Sequence, residues 1–201
     1  ILVKICVPDK NGDLKDVVLG YDEPEKYLHQ DAHFGEIVGR NANRIGSATC
    51  TIDGITYALV INDNGVNNLH SGPDFLRNRI WDAEVSETEN GTKITFSLFS
   101  PDGDQNYPGN ADIRVSYTLT NADELRIDYH MTCDEDTIAN FTNHAYFNLA
   151  GQATGSAMHQ KVWIDADQFT IADQYSIPTG ELVPVKGTPM DFTTLKYIDQ
   201  D

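Results

Sequence analysis

Between Asn140 and Gly151 the chain reads Asn-Phe-Thr-Asn-His-Ala-Tyr-Phe-Asn-Leu-Ala-Gly. Aromatic and small residues mixed with single polar ones, closed by a glycine, predict a strand that ends in a turn. Side chains alternate across a strand, so Asn140, Thr142, His144, Tyr146 and Asn148 would share one face. Phe141, Ala145, Phe147 and Leu149 would occupy the other, with Asn143 as its polar member. A half-buried strand ordinarily turns Lys or Glu to water. This polar row instead offers neutral hydrogen-bonding groups, one imidazole and one phenol, an inventory that can pair with hydroxyls and move a proton near neutral pH. The competing reading is a buried histidine satisfied by its neighbours.

Other polar groups stand in similarly informative settings. Phe34–Gly46 carries Arg40 and Arg44 in a chain poor in basic residues. They read either as two solvated arginines in an exposed turn or as a loop in which Asn43 and Arg44 donate to substrate oxygens. A phosphate loop is excluded, because its Lys-Ser/Thr ending is absent. His70 lies in Asn68-Leu-His-Ser-Gly72, a loop of the kind that carries binding residues on rigid β scaffolds. Asp191, between Met190 and Phe192, is costly to bury unless hydrogen-bonded, or else caps a turn. His29 and His33 are four apart and could share a helix face around a metal. No helical periodicity and no third ligand accompany them, so no metal is expected. Asp102 and Asp104 lack the further ligands of a calcium loop and read mainly as turn-formers.

The elements that must position these groups are strands. Residues 1–20 predict two strands around Asp9–Gly12, and Asp53-Gly54 predicts a two-residue hairpin between Cys50–Ile52 and Ile55–Leu59. Lys93–Leu98 alternates strictly. Ile113, Val115, Tyr117 and Leu119 then face one way, and Leu125, Ile127, Tyr129 and Met131 answer across the turn at Asn121–Glu124. Val162–Asp165 and Gln168–Ile171 add strands, and Ile177–Gly180 is expected to turn. Strands at this spacing, with no sustained 3.6-residue period, predict an all-β sandwich or barrel.

Composition narrows the partners. Fourteen basic against 31 acidic residues give a net charge of −17 over 201 residues, which repels nucleic acid and anionic membrane surfaces and favours a neutral small molecule. No apolar run approaches membrane-spanning length. Cys6, Cys50 and Cys133 are odd in number and lack metal-ligand spacing, which favours a reducing, cytoplasmic setting. Oligomeric state is not encoded legibly.

Five motifs in order resemble the aldose 1-epimerase, or galactose mutarotase, family: Gly39–Ile45, Asn68–Gly72, Ser100–Gly109, Thr142–Gly151, and Ile177–Gly180 with Thr188–Phe192. The resemblance implies a large antiparallel β-sandwich (a supersandwich) over residues 1–201, here incomplete and truncated at both ends. It implies interconversion of the α and β anomers of a free hexose such as galactose or glucose, without cofactor. His144 would protonate the ring oxygen, His70 would stabilise that oxygen, and Asn43, Arg44 and Asp191 would hold sugar hydroxyls, with Tyr146 beside them. Ser71 departs from the family's Leu-His-Gly-Gly. The family's general base is a C-terminal Glu with no counterpart in this sequence, so the chain is expected to be a fragment that lacks the base half of the site. A non-catalytic sugar-binding sandwich and a hexose-phosphate epimerase are the alternatives; the second should present extra basic residues for the phosphate.

Overall fold

The computed structural model describes residues 1–29 and 31–200. Strands joined by turns make up nearly all of its regular structure, five short 3-10 turns supplement them, and no α-helix occurs among the described residues. The all-β expectation therefore holds. The chain falls into two compact units, residues 37–142 and residues 1–36 with 143–201.

The unit formed by residues 37–142 is built on a four-stranded antiparallel meander, Asp82–Thr88, Gly91–Ser100, Ala111–Thr120 and Leu125–Cys133. Its register follows from the alternation in the sequence. Ile113 pairs with Leu98 and Met131, Val115 with Phe96 and Tyr129, and Tyr117 with Ile94 and Ile127. This apolar face packs against Ile37, Leu76, Trp81 and Phe141, with Tyr129 and Phe141 stacked at 6.0 Å. A smaller core gathers Ala48, Leu59 and Tyr107. The hairpin Thr49–Ile52 with Ile55–Ala58 turns at Asp53 and Gly54, both at positive φ, as a two-residue turn that follows the twist of its strands requires. Arg44–Ile45 pairs with Asn68–Leu69, which brings two of the sequence motifs side by side.

Arg40 corrects the sequence reading, being neither solvated nor available to a ligand. It is 0% exposed, and its guanidinium donates to the carbonyls of Pro108, Ser100 and Gly109 at 2.8, 3.0 and 2.9 Å and to the hydroxyls of Ser100 and Thr137 at 2.9 and 3.2 Å. The Ser100 hydroxyl in turn donates to Asp104 at 2.5 Å, and Asp104 pairs with Arg79 at 2.7 Å. Burial lowers the pKa of Arg40. Asp104 is thus more than a turn-former. Burial alone would raise its pKa, but the bonds from Arg79 and Ser100 outweigh that and hold it below the ordinary aspartate value.

In the unit of residues 1–36 and 143–201, hairpins form from Cys6–Pro8 with Leu14–Asp16 and from Gln168–Ala172 with Pro178–Pro184. The expected turn at Ile177–Gly180 lies earlier, at Asp173–Ile177, and Pro178–Pro184 is strand. Val162–Asp165 yields only the pair Lys161–Val162 with Lys196–Tyr197. The stretch around His144 is also less regular than expected. Beyond the short strand Thr142–Asn143, the alternation inverts: Phe147 and Leu149 are 51% and 70% exposed, while Asn148 is 1% exposed. The reason is local hydrogen bonding. Asn148 accepts from Ala150 N at 3.1 Å and donates to the carbonyl of Gly155 at 3.1 Å, so its amide organises the adjoining turn and must lie inside it.

Because backbone carbonyls and two hydroxyls converge on one planar fork, Arg40→Lys should destabilise the protein almost as much as Arg40→Met, by about 3 kcal/mol. Urea denaturation midpoints of the three proteins measure this; a lysine variant as stable as the wild type would show that a point charge suffices.

Candidate functional site

The residues singled out in the sequence divide between the two units. In residues 37–142, pairing of Arg44 with Leu69 sets Asn43 beside His70, and the two backbones lock together. Asn43 N donates to His70 Nδ1 at 2.9 Å, and His70 N donates to Asn43 O at 2.9 Å. Since Nδ1 accepts a hydrogen, the neutral ring carries its own on Nε2. His70 is therefore a buried imidazole pre-set as an Nε2–H donor.

Arg44 is not a freely moving cation. Its Nε lies 2.9 Å and its Nη2 3.3 Å from the two carboxylate oxygens of Asp63, and its Nη1 lies 3.4 Å from Asn43 Oδ1. A forked guanidinium held along one edge presents its remaining donors in a fixed direction. Asp63 was missed in the sequence, where Asn-Asp-Asn-Gly reads only as turn chemistry. The hydrogen bond from Arg44 is the largest cause of its lowered pKa, with further bonds from Asn67 and Asn64.

Ser71, the departure from the family pattern, occupies a left-handed conformation, φ 58°, directly after His70 at φ 56°. Glycine adopts this backbone at least cost. The serine hydroxyl offsets the strain: it accepts from Asn41 N at 2.9 Å and donates to Asn41 O at 3.1 Å, tying the His70 loop to the segment that carries Asn43 and Arg44.

In the other unit, His144 is held by its backbone, N to Glu36 O at 3.0 Å and O from Gly35 N at 3.1 Å. Its ring lies 5.0 Å from that of Tyr146, so these two do share a side as the alternation predicted, and Tyr146 also meets the edge of Phe34 at 5.4 Å. His33, considered in sequence as a metal ligand with His29, instead approaches Glu36 and stacks near His144. His29 ends an exposed 3-10 turn, and no cluster of three metal-ligating side chains occurs among the described residues. Asp191 caps a turn, accepting from Thr193 N at 3.2 Å and Thr193 Oγ1 at 2.6 Å, bonds that also lower its pKa. It lines an open depression with Thr188, Pro189 and Lys196. Both Thr193 bonds fall on Oδ1. Glu36, buried in the structure, was missed in the sequence, where the available signal is a single charge inside Gly-Glu-Ile-Val-Gly.

Two expectations arise from these contacts. Ser71→Ala leaves the buried Asn41 N–H without its acceptor and should lower stability by about 1–3 kcal/mol, read from thermal unfolding. Asp63 has a folded pKa below its unfolded value of about 3.9, so its contribution is full above about pH 4 and is lost as pH falls through the folded value. The drop in Tm on acidification below about pH 4 should accordingly be shallower in Asp63→Asn than in the wild type.

Comparison with known proteins agrees with the fold. The aldose 1-epimerase family model matches residues 1–201. Galactose mutarotase of Bos taurus is 45% identical over 185 residues, covering 92% of this chain and 52% of the relative. Aldose 1-epimerase of Escherichia coli K12 is 38% identical over 197 residues, 98% of this chain and 56% of that protein. The solved structure of an aldose epimerase homologue from C. elegans superposes with a TM-score of 0.87 at 35% identity, covering 98% of this chain and 58% of that one. The chain spans about half the length of the relatives it matches. A family match along its whole length, on an all-β frame shared with a solved member, establishes that this chain belongs to the aldose 1-epimerase family.

Proposed function

We propose that this chain carries the proton donor and sugar-holding groups of a mutarotase that interconverts the α and β anomers of free hexoses such as galactose or glucose. The family match over residues 1–201 carries this reading. In the reaction the anomeric hydroxyl loses its proton, the bond from C1 to the ring oxygen breaks, and the ring oxygen takes up a proton. Rotation about C1–C2 and reclosure then give the other anomer. His144 is the donor to the ring oxygen, the role that its place in the Thr142–Gly151 motif implies. His70, as an Nε2–H donor, stabilises negative charge that develops on that oxygen. Asn43, Arg44, Tyr146 and Asp191 hold hydroxyls and orient the ring. The general base is not assigned to a residue of this chain. No step calls for a metal or organic cofactor.

The clamp of Asp63 on Arg44 supports a neutral sugar over a phosphorylated one, because a neutralised guanidinium is a poor phosphate site. The net charge of −17 likewise disfavours nucleic acid and anionic membranes as partners. No helix among the described residues is long and apolar enough to cross a membrane, and the three free thiols suit a cytoplasmic setting.

Polarimetry of freshly dissolved α-galactose, with the protein at its native length, tests the reading. Acceleration by the wild type should fall about 100-fold or more in His144→Ala. Sugar binding by calorimetry without acceleration would point to a binding module instead, and neither binding nor acceleration by a folded protein would refute both.

A further inference from the structure

Anomer interconversion leaves His33 and Glu36 without a role, yet they form a close and largely buried polar pair. Glu36 is 1% exposed, and its Oε1 lies 2.5 Å from His33 Nδ1. A carboxylate this deeply enclosed is costly unless paired and hydrogen-bonded, and an imidazole bonded through Nδ1 has both its tautomer and its ring plane fixed. The backbone is committed to this arrangement. His33 and Gly35 sit at φ 59° and 63°, and a side chain on Gly35 would collide with the carbonyl oxygen of Leu2.

The same short segment holds His144. Gly35 N and Glu36 O bond its backbone from both sides. Asn143 Nδ2 donates to Gly35 O at 3.0 Å, and Asn143 Oδ1 accepts from Ala145 N at 3.0 Å, so the residues flanking His144 are tied down as well. The His33 ring lies 5.5 Å from the His144 ring with 31° between their planes. Tyr146 stands at 5.0 Å.

We propose that Glu36 and His33 form a positioning dyad for His144: the carboxylate fixes the His33 imidazole, and that ring in turn fixes the plane in which His144 presents its nitrogens. The dyad touches no reacting atom. It rests on the reading of His144 as proton donor, and it explains why a buried charge is placed behind that residue, since a donor must be held in line with the ring oxygen to transfer its proton efficiently.

Nitrogen-15 NMR of the histidine rings, combined with steady-state polarimetry on the protein at its native length, tests the dyad. In the wild type the His33 Nδ1 proton should appear far downfield, as expected for a short bond to a carboxylate. Glu36→Gln removes the charge at constant shape, and His33→Phe keeps a ring against His144 while removing the link. Both should shift the His144 ring resonances and lower kcat about 10-fold while KM for galactose stays within about twofold. A pair that merely stapled the loop would leave the His144 resonances in place. Folded variants with unchanged His144 resonances and unchanged kcat overturn the proposal. Should the wild type show no mutarotation, the activity reading fails by itself, and the His144 resonances still decide the dyad. Should neither variant fold, the wild-type spectrum decides it, and a His33 Nδ1 without a hydrogen overturns it.

Discussion

A guanidinium sealed from water sets the path of the loops that surround His70. Arg40 has five N–H donors in a rigid plane, and carbonyls from Ser100, Pro108 and Gly109 reach it from the turn that the sequence marks only by its prolines and glycines. Those carbonyls accept its N–H groups away from water. Holding Arg40 also holds the residues next to it in the chain. Its carbonyl accepts from Asn140 N at 2.8 Å, Asn41 is clasped by Ser71, and Asn43 reaches His70 two residues later. A buried charge of this kind adds little net stability by itself, because desolvation cancels much of the attraction. Its effect is to make one arrangement of the loops far better satisfied than the others.

The range of the forces involved decides which features are legible in the sequence and which are hidden. The three strands between Lys93 and Cys133 were legible because burial of one sheet face imposes a period of two, and Ile113, Val115 and Tyr117 record it directly. The Asp53-Gly54 hairpin was legible because positive φ at two successive positions restricts the residues that can occupy them. Arg40 was opaque. Its partners are mostly backbone carbonyls far along the chain, from Ser100 to Gly109, and carbonyls leave no trace in residue type. The same holds for the stretch from Tyr146 to Leu149, where the burial of one asparagine amide reverses the alternation that its aromatic neighbours suggest.

The candidate residues were recoverable by type, and less so by the company they keep. Asn43, Arg44 and His70 fall together, while the groups that constrain them, Asp63 and Ser71, came from positions that look like ordinary turn residues. His33 and Glu36 show the same pattern around His144. Residues proposed to touch a ligand are chemically distinctive, whereas those that hold them in place are distinguished only by what they meet in three dimensions.

The pairing of Arg44 with Asp63 has a consequence for ionic conditions. A lone guanidinium would project a monopole field into solution, attracting anions over a distance comparable to the Debye length, about 8 Å in physiological salt. The ion pair projects a dipole, whose field fades faster, against the background of a strongly anionic molecule. On the proposed reading, an uncharged sugar diffusing toward Arg44 would feel neither, and its capture would be insensitive to ionic strength. A phosphorylated sugar would meet net repulsion until already in contact, and added salt would relieve it. Discrimination against charged sugars would thereby be exercised during approach, before any steric fit is tried.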